Sequence, residues 1–121
     1  MVERRLSDGV RIAQLLASEL EGHEGRLAGV ALADADPDVE PTADGTLAYA
    51  VERDGRRLAA AYVHPERVRV EFVDAPARAA EAARERGLRV RPTATDPPRT
   101  LVFVEDGAAV KRALRVFEAV I

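Results

Sequence analysis

The strongest constraint in this chain is a period-two pattern that begins at Thr46 and folds back on itself at Asp54-Gly55. In TLAYAVE, Leu47, Tyr49 and Val51 fall on one side of an extended backbone and Thr46, Ala48, Ala50 and Glu52 on the other, because successive strand side chains point to opposite faces. Both central residues of a type I′ turn need positive φ, which Asp-Gly supplies, so the run RLAAAYVH returns antiparallel. His64-Pro65-Glu66-Arg67 then turns the chain into VRVEFV, where Val68, Val70 and Phe72 alternate with Arg69 and Glu71. A three-stranded meander results.

Helical periodicity brackets this meander. In LSDGVRIAQLLASEL, Leu6, Val10, Ala13, Ala17 and Leu20 recur at helical spacing, with Ile12 and Leu16 widening the stripe, and predict a helix over residues 7 to 21. Ser7 or Asp8 caps its start and Gly22 ends it. GRLAGVALADA reads as a short strand over residues 27 to 33. After the meander, Asp74 before Ala75-Pro76 opens an alanine-rich helix that Gly87 stops. LRVRP is a brief strand with Leu88 and Val90 inward and Arg89 and Arg91 outward, and TLVFV is a strand with two apolar faces. The last segment, GAAVKRALRVFEAVI, spaces Val110, Leu114, Phe117 and Ile121 along one helix face behind Asp106 as cap. The order α-β-β-β-β-α-β-β-α predicts a single α+β domain over residues 1 to 121: one mostly antiparallel sheet of about six strands with three helices.

Composition removes several function classes. With no cysteine there is no disulfide and no thiolate chemistry, and 18 basic against 21 acidic side chains give a net charge of −3, which offers no overall attraction to nucleic acid or to an anionic membrane. No leader-like segment and no apolar run of bilayer length is present, so a cytoplasmic protein is the expectation. Neither a nucleophile elbow, a phosphate-binding glycine loop, a dinucleotide fingerprint nor a metalloprotease helix occurs. No catalytic residue, cofactor or metal is therefore assigned. DADPDVE, from Asp34, resembles a calcium loop in its alternating acids, yet position six is Val39 and position twelve is Gly45, where such a loop needs glycine and a bidentate glutamate. His23 and His64 lack a neighbouring nucleophile or orienting partner in the sequence.

Two surfaces remain as candidates. Arg69, Arg89 and Arg91 point away from the apolar side of their strands, and their guanidinium groups suit a phosphate or carboxylate ligand; pairing with Glu71 and its neighbours is the competing explanation. A basic cluster of Lys111, Arg112 and Arg115 lies along the last helix. The five aromatic residues, Tyr49, Tyr62, Phe72, Phe103 and Phe117, all fit core positions, which argues against a nucleic-acid platform. If the helices cover one side of the sheet, the other carries Ala48, Ala50, Ala59, Ala61, Val63, Val102 and Val104, too apolar for open water. Either a second subunit covers it, with Ala59, Ala61, Val63, Val102 and Val104 as the interface, or the first helix crosses over to it.

DGVRIAQLLASEL near the start, GAAVKRALRVFEAVI at the end and DADPD between them resemble a group of small uncharacterised proteins of halophilic archaea. The resemblance implies a cytoplasmic protein in a salty cell and no particular activity. The expected role is non-enzymatic association, most simply as a homodimer through the apolar sheet face, with binding of a small anionic ligand or nucleotide phosphate through the arginines as the alternative.

Overall fold

The computed structural model describes residues 8–22 and 25–121, so Leu6, Ser7 and His23 lie outside the described residues. Helix α1 (Gly9–Gly22) begins behind Asp8, whose Oδ1 accepts from the Arg11 N–H at 3.2 Å and satisfies a donor that has no partner within the helix. Ile12, Ala13, Leu16 and Leu20 form its buried stripe. Where a strand is expected from residue 27, the chain first makes a 3-10 turn (Gly25–Leu27), and strand β1 (Val30–Ala33) starts only after Gly29, at φ +88°. Then come β2 (Thr46–Arg53), β3 (Arg56–Val63), β4 (Val68–Phe72), α2 (Pro76–Glu85), β5 (Arg89–Thr93), β6 (Arg99–Val104) and α3 (Gly107–Val120). Asp54 and Gly55 adopt φ values of 55° and 78°, the positive pair that the β2–β3 hairpin requires.

All strand pairs are antiparallel, in the order β1-β2-β3-β4-β6-β5, so the fold is the α+β arrangement expected. The crossover from β4 through α2 to β5 skips one position, which β6 fills, a split βαβ unit.

Directly opposed residues share a face, so the register sorts the sheet. Val51, Ala59, Phe72 and Thr100 form one row; Tyr49, Ala61, Val70, Val102 and Val90 form the next. Those two rows meet all three helices. The Tyr49 hydroxyl donates to the Ala13 carbonyl of α1 at 2.7 Å, the Phe72 ring lies 4.8 Å from that of Phe117 on α3, and the Thr100 hydroxyl donates to the Pro76 carbonyl of α2. The first helix therefore does not cross to the second face.

This layout corrects the expected interface. Ala59, Ala61, Val63, Val102 and Val104 are each 0% exposed and belong to the core beneath the helices, so they present no docking surface. Small side chains sit there because helix backbones pack closely over them; size alone puts the larger Leu, Tyr and Phe of β3 and β6 inside and inverts both strands. Two bulges add to the difference. Ala48 falls between the pairs Leu47–Tyr62 and Tyr49–Ala61, so Leu47 and Tyr49 occupy opposite faces, and Leu58 falls between Val51–Ala59 and Glu52–Arg57, which lets it turn into the core. Of the five aromatics, Tyr49, Phe72 and Phe117 are buried, whereas Tyr62 and Phe103 lie on the face that no helix covers.

Candidate functional site

The face that no helix covers is built of two rows: Leu47, Tyr62, Arg69, Phe103 and Arg89, then Ala50, Ala60, Glu71, Leu101 and Arg91; its Ala50 and Ala60 end is buried, and the open part lies over β4, β6 and β5. Arg67 and Arg99 extend it by the same parity, since Arg67 reaches Phe103 and Arg99 reaches Glu71. Five arginines, Arg67, Arg69, Arg89, Arg91 and Arg99, thus meet two carboxylates, Glu71 and Glu105, across β4, β6 and β5. A chain with a net charge of −3 concentrates an excess of positive charge here.

The arginines are not equivalent. Arg69 is committed: its Nε donates to Glu71 at 2.9 Å, its Nη1 donates to the Asp44 carbonyl at 3.0 Å and to His64 Nε2 at 3.1 Å, and its guanidinium lies 4.6 Å from the Tyr62 ring centre. Arg99 donates to the other Glu71 oxygen at 3.0 Å. Arg89 pairs with Glu105 at 3.1 Å while two-thirds exposed, a pair worth little in water. Arg67 lies over the Phe103 ring at 4.7 Å with Arg89 at 5.8 Å. Neither Arg67 nor Arg91 has a carboxylate partner among the described residues. Of the sequence-predicted trio, then, Arg89 and Arg91 come together and Arg69 is locked aside. Arg67 takes its place, lining a shallow depression of about 280 Å³ with Arg89, Val90, Arg91 and Phe103. The signal for it was present: Arg67 precedes Arg69 by two and shares its face.

His64 ties the loop before β2 to this face. An arginine N–H only donates, so His64 Nε2 accepts from Arg69 and Nδ1–H donates to the Ala43 carbonyl at 3.0 Å. Burial, followed by the positive charges of Arg69 and Arg67, holds its pKa below the usual histidine value, against the raising effects of the Ala43 hydrogen bond and Asp44. The ring is a neutral strut whose partners among the described residues are Ala43 and Arg69, neither of them a nucleophile.

The acidic loop is turn chemistry. Asp36 Oδ1 accepts from the Asp38 N–H at 2.9 Å, Asp36 N–H donates to the Ala48 carbonyl, and Asp34 receives Arg57 at 3.1 Å. Among the described residues no three carboxylate or histidine side chains converge as metal ligands. On α3, Arg112 donates to the Arg86 carbonyl and Arg115 pairs with Glu118 at 2.8 Å, which leaves Lys111 as the member of that cluster without a partner among the described residues. Among the described residues, no helix is long and apolar enough to cross a membrane.

Neither the curated proteins nor the solved structures include a significant match to this chain. A model of a family of unknown function (DUF7993) matches residues 1–121, the full length of the sequence, and the chain belongs to that family.

Proposed function

We propose that the chain is a non-enzymatic binder of a small anionic ligand, held on the uncovered sheet face by Arg67, Arg89 and Arg91. The observation that carries this reading is the pair of arginines without carboxylate partners, Arg67 and Arg91, on either side of Arg89 and Phe103. A guanidinium presents a planar fork that matches phosphate or carboxylate oxygens, and stacking on Phe103 restrains Arg67 before any ligand arrives. The depression, at about 280 Å³, lies at the small end of ligand pockets, which suits a small anion better than a large ligand. Nucleic acid fits less well. Although Tyr62 and Phe103 are on the open face, guanidinium groups already lie over both rings, so no bare aromatic is offered to a base.

A cytoplasmic setting belongs to the same reading, as does the salty cell implied by the resemblance to proteins of halophilic archaea. Screening shortens to about 3 Å at 1 M salt, so only close guanidinium–oxygen contacts would persist there. Calorimetric titration with inorganic pyrophosphate at low salt is the test. Removing a hydrogen bond to a charged group costs about 1.5–3 kcal/mol, so Arg67→Gln with Arg91→Gln should weaken binding by at least about tenfold, with Arg115→Gln as an unchanged control. No heat from the unaltered protein, or equal affinity in the double variant, contradicts the assignment.

A further inference from the structure

The tip of the β2–β3 hairpin carries two further arginines, Arg53 and Arg56, which stand directly opposite each other across the strands. Arg53 shares the helix-covered side with Val51, since β1 sets Val30 against the one and Leu32 against the other. There the pair overhangs the end of α3. Leu58, Val120 and Ile121 supply the apolar wall of a depression of about 280 Å³, and Arg53, Asp54, Arg56 and Asp74 supply its charges. Those charges are unevenly matched. Arg56 donates to Asp74 at 2.8 Å, and Asp74 is held beside β3 by its own N–H, which donates to the Leu58 carbonyl. Arg53 has no hydrogen bond or ion pair among the described residues, and its Nε is buried. A buried charged donor without an acceptor is costly, and like charges directly opposite on neighbouring strands repel. One negatively charged acceptor placed against Arg53 answers both.

We propose that this depression binds a short aliphatic monocarboxylate, with its carboxylate on the Nε side of Arg53 and its tail against Leu58, Val120 and Ile121. Charge selects the head group. Arg53 and Arg56 are matched in number by Asp54 and Asp74, so a single negative charge suits the one guanidinium that lacks a partner, whereas a doubly charged phosphate would also face two carboxylates. A carboxylate is besides the planar acceptor that a guanidinium fork holds through two parallel bonds. The wall selects the tail: Leu58 and Val120 belong to the buried core and Ile121 packs against it, so this side of the depression has nothing polar to offer a hydroxylated body. A volume at the small end of ligand pockets keeps the tail short. Arg67, Arg89 and Arg91 lie on the opposite face of the sheet, so either assignment can fail without the other.

NMR titration of the full chain with sodium pentanoate at constant ionic strength tests it, following the Arg53 Nε–H signal and the amides of Leu58, Val120 and Ile121. The Nε–H signal should move downfield and saturate in the millimolar range. Affinity should fall roughly fourfold for each methylene removed between pentanoate and propanoate, because each leaves apolar surface in water. Inorganic phosphate at the same concentrations should leave the signal in place. Arg53→Lys keeps the charge but loses the fork and should bind pentanoate at least about tenfold more weakly, and Arg53→Gln should abolish saturation, with thermal unfolding in the absence of pentanoate as the check that each variant folds. Arg67→Gln with Arg91→Gln should bind pentanoate as the unaltered protein does. No saturable shift in the unaltered protein, an equal response to phosphate, an affinity indifferent to chain length, or full binding by folded Arg53→Gln overturns the proposal; the comparisons of chain length and head group use the unaltered protein and decide the matter even if a variant fails to fold.

Discussion

Gly9 joins α1 to the turn between β3 and β4: its N–H donates to the Pro65 carbonyl at 3.1 Å, and an added Cβ would stand 1.8 Å from the His64 carbonyl oxygen. The obstacle is backbone, which no rotamer change relieves. Gly9→Ala should therefore cost about 3 kcal/mol, read as a lower urea midpoint at an unchanged slope. Nothing in Asp8-Gly9 distinguishes this close approach from an ordinary helix start, so it was not legible in the sequence. His64 is similar; its two partners, Ala43 and Arg69, come from segments that meet only in the fold. Its depressed pKa has a definite consequence. Below the ordinary value of 6.5 the unfolded chain takes up a proton that the folded ring resists, so stability falls as pH drops through and beneath that value. Between about pH 7 and pH 5 the unaltered protein should lose more stability than His64→Gln. Parallel pH profiles in urea unfolding would remove the neutral-strut account.

At the scale of elements, the caps were partly readable. Asp106 Oδ1 accepts from the Ala109 N–H at 2.9 Å as its position before α3 predicts, and Asp106→Ala should cost about 1 kcal/mol by thermal or chemical unfolding. Asp74 behaves otherwise: it pairs with Arg56 at 2.8 Å, and Ala75 enters α2 at φ 48° with no side-chain cap. The face assignment of β3 and β6 is more instructive. Both strands are apolar on both sides, so their own alternation cannot tell in from out. β4 can, because Arg69 and Glu71 mark its wet side. The four-residue turn from His64 to Arg67, closed by His64 N–H donating to the Arg67 carbonyl, pairs Val63 with Val68 and hence Tyr62 with Arg69. Carrying that register from β4 into β3 places Tyr62 in water and Ala61 under the helices. The bulge at Ala48 has no comparable marker, since no glycine or proline punctuates it.

For the whole molecule, segment order was legible because helical and strand periods alternate cleanly along the chain, whereas the sequence left open whether α1 joins the other helices on one side of the sheet. Which face the helices cover was not legible either, because it depends on register between strands distant in sequence, such as β4 with β6. That distinction turns the expected apolar interface into core and leaves an arginine-rich surface in its place. Arg89 and Arg91 belong to this surface as expected, Arg67 joins them through Phe103, and Arg69 supports the loop before β2. The most direct test is an NMR titration with inorganic pyrophosphate that follows backbone amides and arginine side chains together. The account predicts shifts concentrated at Arg67, Arg89, Arg91 and Phe103, with the α3 residues Lys111 and Arg115 unmoved. Shifts confined to α3, or none on β4, β5 and β6, contradict it.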